Sequence, residues 1–217
     1  NMTKTRAVTR KLKPRTIGVV IFEDFQLLDA AGPIAAFEMP MRGLDPPPYD
    51  LKVIAPKAGL VRASCGVEMA AEAMPREPTF DTLIVSGGVG TREAMLDQKL
   101  LALVRASAKS ARRLCSVCSG AYVLAAAGVL DGKRATTHWR RTPDFQKRFP
   151  DVKLEPDCIY THDGKIWTSA GITAGIDLAL ALIADDLGEE AARRSAQELV
   201  VYHRRPGGQS QFSALLD

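Results

Sequence analysis

The chain has 217 residues, of which 46% are hydrophobic and 25% charged, which is typical of one globular domain with a sizeable core. The formal net charge is only +4, and six basic residues without an acidic one fall within the first fifteen positions. The rest of the chain therefore has no basic excess with which to grip DNA. No apolar run is long enough to span a membrane and no signal-peptide core lies near the start, so we expect a cytoplasmic protein without membrane contact.

We expect the chain to divide into three parts. Residues 1–14 have the composition of a basic arm, which we predict to be disordered and solvated rather than a nucleic-acid clamp. Residues 15–203 contain the apolar runs of a folded domain, and residues 204–217 have the composition of a linker. No internal repeat and no low-complexity segment interrupts the folded part.

The cysteines do not predict a disulfide framework or a metal site. A chain of this length in a reducing compartment keeps its thiols free. Cys115 and Cys118 form a C-x2-C pair, but no second pair exists to complete a zinc site. We therefore expect neither a metal nor another cofactor.

The first apolar run predicts a central strand. The letters TIGVVIF follow Arg15 without interruption, as in a strand buried on both faces of a parallel sheet. Residues 25–39 then have near-helical apolar spacing, and Pro33 fits the first turn of that helix. Asp29 is thereby predicted to lie in the strand-to-helix loop, at the sheet edge where ligand sites of α/β proteins gather. The alternative is that Asp29 caps the helix.

The next elements are a strand at 49–55, an edge hairpin within 59–74 and a buried strand at 80–86. Four residues of sequence GGVG follow this last strand, at 87–90. Glycines there let the backbone approach a ligand or offer its N–H groups, although a simple tight turn is the alternative. The G-x-G-x-x-G spacing is absent, which argues against a dinucleotide.

An amphipathic helix is predicted at 96–111, and the stretch that follows is the one on which the chemistry depends. A short apolar strand at 114–117 runs straight into an Ala-rich helix, with Cys118 at the junction. Such a turn lifts one side chain clear of the sheet, and N–H groups at a helix start lower a thiol pKa. Cys118 is therefore the candidate nucleophile, and a small buried core residue is the alternative.

The second half of the chain continues the alternation of strands and helices. A short strand at 134–139 is predicted to end on His138, and a helix starts with the Thr-Pro pair at 142. Asp163-Gly164 marks a hairpin. Two helices follow, at 171–187 and, more polar, at 189–202. The alternation predicts a mostly parallel sheet with helices on both faces.

A thiol nucleophile needs a proton-transfer partner and donors for an oxyanion. Cys118 is the candidate nucleophile and Asp29 the candidate proton-transfer partner. The N–H groups of Gly88 and Ser119 are the candidate oxyanion donors, and Gly87 lies in the same glycine cluster. His138 joins them as the histidine nearest a predicted strand end, although a core or interface histidine is an equal alternative. The remaining histidines are predicted to be non-catalytic: His162 in the hairpin and His203 in the linker.

The order of these blocks is similar to the PfpI-type branch of the class I glutamine-amidotransferase-like superfamily. The blocks LLDAAGP, SGGVG, SVCSGAYVLAAAGVLDGKRATTHW and SAGITAGIDLAL carry the resemblance, which spans nearly the whole chain from residue 15. It implies a flavodoxin-like three-layer sandwich that forms dimers, with Cys118 on a nucleophile elbow and Asp29 as the acid. It also implies Gly88 and Ser119 as oxyanion donors and His138 near the pocket or dimer contact.

Two departures narrow the expected chemistry. Members with protease activity have a histidine directly after the nucleophile, where this chain has Ser119, which argues against a peptidase. The LDxxGP context of Asp29 resembles the isonitrile hydratases.

The last residues carry a second resemblance. After the helix at 189–202 comes HRRPGGQ, and SQFSALLD then begins a helical pattern that stops at once, which suits either a docked tail or a domain boundary. The run RRSAQELVVYHRRPGGQSQFSALL is similar to the segment that joins such a domain to an AraC-type helix-turn-helix domain. This resemblance implies an effector-sensing, dimerising domain of a transcription regulator, bound to a small molecule and reaching DNA only through a further domain. The alternative is an enzyme, a cysteine-dependent isonitrile hydratase or amidohydrolase.

Overall fold

The computed structural model describes residues 13–202 and 204–212. In these residues ten strands and seven α-helices alternate along the chain. The strands are β1 (Arg15–Val20), β2 (Tyr49–Ala55), β3 (Gly59–Arg62), β4 (Glu68–Ala73), β5 (Thr82–Val85), β6 (Arg113–Val117), β7 (Arg134–Ala135), β8 (Lys153–Leu154), β9 (Tyr160–Asp163) and β10 (Ile166–Ser169). The helices are α1 (Leu27–Glu38), α2 (Thr91–Ala94), α3 (Gln98–Ser110), α4 (Gly120–Ala126), α5 (Thr142–Arg148), α6 (Ala174–Leu187) and α7 (Glu189–Glu198).

Eight strands form one sheet in the order β3-β4-β2-β1-β5-β6-β10-β9. The six strands from β4 to β10 run parallel, and an antiparallel strand closes each edge. Every residue of β5 and β6 is buried. Because successive side chains of a strand point to opposite faces, both faces of the sheet are covered. The predicted mostly parallel sheet with helices on both faces is confirmed.

The helices form two groups around this sheet. Helix α6 contacts both α1 and α7, and α2 and α3 both contact α4. None of the described helices has the length and apolarity that crossing a membrane requires. The arrangement is the three-layer α/β sandwich that the resemblance implied.

Helix α1 begins earlier than predicted, and this corrects the placement of Asp29. Gln26 is the N-cap, so Asp29 lies within the first helical turn, neither in a loop nor at the cap. Pro33 falls inside the helix rather than in its first turn. It packs beside Gly175 of α6, so tertiary contacts of a buried helix outweigh the missing backbone hydrogen bond.

The strand predicted at 134–139 is also shorter than expected. β7 ends at Ala135 and pairs with β8 in a separate two-stranded sheet. His138 therefore does not end a strand of the central sheet; it starts a turn of 3-10 helix, Trp139–Arg141. Thr136 and Thr137, which follow β7, are buried in an irregular loop instead.

The structure describes only part of the predicted arm at residues 1–14 and of the predicted linker at residues 204–217. Residues 1–12 of the basic arm, His203 and residues 213–217 lie outside the described residues. Residues 204–212 dock against the domain, for instance through the Gly207 carbonyl, which accepts hydrogen bonds from the Ile159 and Tyr160 N–H groups. These nine positions are therefore packed against the domain, and the expected domain boundary stays a prediction.

Candidate functional site

Cys118 lies where β6 passes into α4, as predicted, and its backbone has a φ of 57°. A non-glycine residue in this left-handed region marks a tight turn under strain, as at functional sites. Gly171 packs closely against Cys118. A Cβ atom at Gly171, whose φ is 87°, would lie 2.0 Å from the Cys118 Cβ. The Cys118 residue is 8% exposed. The junction is thus rigid and tightly packed, and the role of Cys118 as a nucleophile stays a prediction.

Asp29 reaches Cys118 from the first turn of α1. It is 0% exposed, and its two oxygens accept hydrogen bonds from the Ile172 N–H (2.8 Å) and the Gly87 N–H (3.1 Å). The Cys118 side chain lies close enough to oppose the rise in the Asp29 pKa. The predicted acid and the predicted thiol therefore lie close together, on segments that follow strands β1 and β6 of the same sheet.

Burial governs the titration of both groups. Loss of hydration raises the pKa of Asp29 to about 6, although the Ile172 and Gly87 hydrogen bonds and the nearby Cys118 thiol oppose this shift. Burial, with the nearby Asp29 carboxylate, raises the pKa of Cys118 to about 12. The Ser119 N–H and hydroxyl lower that pKa, as predicted for a helix start, but α4 has only seven residues and burial prevails. At neutral pH the pair is a protonated thiol beside a carboxylate.

Gly87, Gly88 and Ser119 all come to the site, but the Gly87 and Gly88 N–H groups already donate to other residues. The Gly87 N–H donates to Asp29, and the Gly88 N–H donates to the Ser119 hydroxyl (2.9 Å). That hydroxyl also lies 2.9 Å from the Thr91 hydroxyl. Gly88, whose φ is 134°, fits because a Cβ atom there would lie 2.4 Å from the Gln26 nitrogen. The oxyanion role of Gly88 and Ser119 stays a prediction, and a ligand would have to displace this internal hydrogen bond.

His138 lies outside this cluster of contacts. Its Nδ1 accepts a hydrogen bond from the Arg140 N–H (3.3 Å), and its ring stacks on Trp139 with 5.7 Å between centroids. Burial and the Arg140 and Arg141 charges lower the pKa of His138. The preceding Thr137 makes the contact with the site instead, because its hydroxyl donates to the Cys118 carbonyl (3.0 Å).

A cleft of ≈ 500 Å³ opens beside Ser119. Its polar wall includes three arginines, Arg92, Arg141 and Arg148, and one acid, Asp144. Arg148 is paired with Asp144 at 3.0 Å. Within residues 13–202 and 204–212, Arg92 and Arg141 have no carboxylate within 4.0 Å. The cleft is therefore open, polar and positively charged, and no described group of three or more His, Cys, Asp or Glu side chains could hold a metal.

Sequence reasoning missed three residues that shape the site: Gly171, Ile172 and Thr137. Ile172 has a φ of 51° and directs its N–H at Asp29. Gly171 was detectable in the sequence, because a glycine just after a strand indicates that another segment approaches the backbone closely. Nothing local marks Ile172 or Thr137, because their roles arise from contacts across the fold.

Comparison with known proteins places these features in a family. The model of the DJ-1/PfpI family matches residues 15–185. Isonitrile hydratase from Pseudomonas putida is 34% identical over 180 residues, 82% of this chain and 74% of that protein. The HTH-type transcriptional regulator GbdR from Pseudomonas aeruginosa is 30% identical over 192 residues, 88% of this chain. The chain spans about half of that regulator's length, 52%.

Solved structures have the same fold. A THiJ/PfpI family protein from Pseudomonas syringae superposes with a TM-score of 0.78 at 26% identity, covering 90% of this chain and 78% of that one. An AraC family transcriptional regulator from Pseudomonas putida superposes with a TM-score of 0.75 at 20% identity, covering 86% of this chain and all of that one. At that identity the second likeness concerns the fold alone.

Proposed function

This chain belongs to the DJ-1/PfpI family, and we propose that it is the effector-sensing and dimerising part of an AraC-type transcription regulator in the cytoplasm. Similarity to HTH-type regulators supports the proposal: GbdR matches 88% of this chain but is only about half covered by it. In this proposal the uncovered half of such a protein contains the helix-turn-helix units that bind DNA.

The state of the site is the observation that carries the proposal. Cys118 is a buried thiol whose pKa is raised to about 12, and the Gly88 N–H is bonded to Ser119 rather than open to a substrate oxygen. A nucleophile needs a thiolate and free oxyanion donors. An adjacent open cleft walled by arginines suits the binding of a small polar or anionic molecule. These features favour recognition over turnover.

DNA binding by the protein from the whole reading frame tests this proposal. We expect the intact protein to bind a specific operator, and the same protein truncated after Gly208 to lose that binding while its DJ-1/PfpI domain stays folded. A truncated protein that still bound the operator specifically would refute the proposal. A small molecule that binds in the cleft should also change the affinity of the intact protein for the operator.

An enzyme is the second candidate, favoured by the proximity of Cys118 to Asp29 and the 34% identity to isonitrile hydratase. In this reaction the Cys118 sulfur bonds to the isocyanide carbon, and Asp29 carries the thiol proton to that carbon, giving a thioimidate. Water then adds to the same carbon, the C–S bond breaks, and an N-substituted formamide leaves with the thiol restored.

Formamide production from an aromatic isocyanide distinguishes the two candidates. The enzyme hypothesis expects multiple turnovers that Cys118→Ala and Asp29→Asn both abolish. The sensor hypothesis expects no turnover above that of the Cys118→Ala variant.

A further inference from the structure

The docked tail, residues 204–212, is held to the domain by contacts that lead to the candidate site. We call this segment the strap. It is anchored by Arg205 at one end, by the Gly207 carbonyl in the middle and by Gln211 at the other end. Each anchor leads, through one or two intervening residues, to a residue that contacts Cys118 or Asp29.

Arg205 forms hydrogen bonds to the first turn of α6 and to the residue before it. The Arg205 N–H donates to Asp177 Oδ1 (2.7 Å), and its Nη2 donates to Asp177 Oδ2 (2.8 Å) and to Thr173 Oγ1 (3.0 Å). Asp177 is 4% exposed, so its carboxylate depends on this partner for compensation of its charge. Thr173 directly follows Ile172, whose N–H donates to Asp29. Displacing Arg205 therefore disturbs the residue beside an Asp29 donor.

The Gln211 anchor grips the loop before the Trp139–Arg141 turn. Its Nε2 donates to the Thr137 carbonyl (2.9 Å), and its Oε1 accepts from the Trp139 N–H (2.8 Å). The Phe212 ring lies 5.4 Å from the Trp139 ring, centroid to centroid. The Thr137 hydroxyl in turn donates to the Cys118 carbonyl. One residue therefore separates Gln211 from the strained backbone of Cys118.

The central anchor completes the connection. The Gly207 carbonyl accepts from the Ile159 N–H (2.7 Å), and the Ile159 carbonyl accepts from the Ala170 N–H (2.8 Å). Ala170 precedes Gly171, the residue packed against Cys118. All three anchors thus converge on the two segments that hold Cys118 in its left-handed conformation.

We infer that Arg205 and Gln211 are positioning residues, through which the strap senses the state of the Cys118–Asp29 pair. Coupling of this kind is reciprocal: a change at the pair loosens the strap, and a change in the strap alters the pair by the same factor. The inference rests on the proposed function only for its biological use, the transfer of ligand occupancy toward a following domain.

The alkylation rate of Cys118 by iodoacetamide, followed by peptide mass spectrometry, tests the inference in this chain. Arg205→Gln removes the cation from Asp177, and Arg205→Lys keeps it. Gln211→Glu is isosteric and keeps an oxygen for the Trp139 N–H, but loses the donor to Thr137. Arg204→Gln is the matched control, because Arg204 pairs with the exposed Glu189 (3.1 Å). The exposed Cys65 is the reference thiol within the same molecule.

We expect Arg205→Gln and Gln211→Glu to accelerate Cys118 alkylation by about fivefold or more relative to Cys65, the lower end of typical coupling between sites. Arg205→Lys should restore the wild-type rate, and Arg204→Gln should leave it unchanged. Circular dichroism establishes that each variant is folded. Folded Arg205→Gln and Gln211→Glu variants that react no faster than Arg204→Gln would overturn the inference.

A measurement without substitutions guards against variants that fail to fold. Hydrogen exchange of the wild-type chain is compared before and after carboxamidomethylation of Cys118. The inference expects faster exchange at the Arg205 and Gln211 amides, which donate to Asp177 and to Asp157. Unchanged protection there would contradict it. Neither measurement involves DNA, so loss of the proposed regulatory function and loss of this coupling are separate results.

Discussion

At the scale of single residues, two buried groups define the chemistry. Cys118 and Asp29 are both buried and close together, so a charge on either one costs hydration free energy. Asp29 titrates near neutrality and Cys118 far above it, which leaves a proton on sulfur and a negative charge on the carboxylate at pH 7. The pair accepts a proton at Asp29 more readily than it releases one from Cys118 into solvent.

Asp29 makes the stability of the domain depend on pH. Its pKa is about 6 in the folded chain against an ordinary value of 3.8, so between these values the folded state binds more protons than the unfolded state. Stability therefore falls as pH rises through this window, by about 3 kcal/mol in total. In urea unfolding, the stability of Asp29→Asn relative to wild type should rise by about that amount between pH 4 and pH 7. A difference that does not vary with pH would show that Asp29 is not buried as described.

The sequence identifies these residues but not their titration. Cys118 stands out because an apolar strand, a cysteine and small residues occur in succession, and Asp29 because it follows the first strand. Burial depends on every segment that surrounds them, including Gly171 and Ile172 from the other half of the chain. The predicted lowering of the Cys118 pKa considered only the local helix start, whereas burial by the surrounding segments raises that pKa.

At the scale of elements, the strongly patterned segments are predictable and the irregular ones are not. The strand β2 has the predicted bounds, and the two hairpins lie where turn residues and alternation placed them. Helix α1 and the loop at His138 differ from prediction because tertiary packing decides them. The anchors of Arg205 and Gln211 leave no local pattern, since their partners are distant in sequence.

Among the junctions between elements, the one between β10 and α6 tolerates least change, and Gly171 is its critical residue. A methyl group there would meet the Cys118 Cβ at 2.0 Å in a backbone conformation that favours glycine. We expect Gly171→Ala to lower the free energy of unfolding by about 3 kcal/mol or more. Gly164→Ala is the control: it has a φ of 62° with open space around it, and should cost only about 1–2 kcal/mol. Equal losses in denaturant unfolding would mean that the close contact with Cys118 is not made.

At the scale of the whole molecule, the two ends of the sheet have different roles: one carries the candidate site, and the other a buried ion pair. The site lies where the neighbouring strands β1, β5, β6 and β10 end. At the opposite end, where strands begin, Arg113 of β6 pairs with Asp186 at 2.6 Å, and the Tyr49 hydroxyl of β2 donates to the same carboxylate. This second cluster is a buried ion pair that ties α6 to the sheet.

Removing that ion pair should destabilise the fold without changing the site. The Asp186 side chain is 0% exposed, so Asp186→Ala leaves the buried Arg113 without its closest partner and should cost about 3 kcal/mol. Asp185, with a side chain 47% exposed, also contacts Arg113, and Asp185→Ala should cost less than about 1 kcal/mol. Chemical denaturation measures both. In the folded Asp186→Ala variant Cys118 should keep its alkylation rate, and an accelerated rate would mean that the two ends of the sheet are coupled.

The pH dependence of Cys118 alkylation by iodoacetamide tests the central claim, that the site recognises a molecule rather than turning one over. We predict that Cys118 stays a protonated, slowly reacting thiol with an apparent pKa well above the free-thiol value of about 8.5. Such a profile fits a sensor whose cysteine is part of the packed junction. A Cys118 that reacts rapidly at neutral pH, with an apparent pKa well below 8.5, would contradict this account and favour the hydratase.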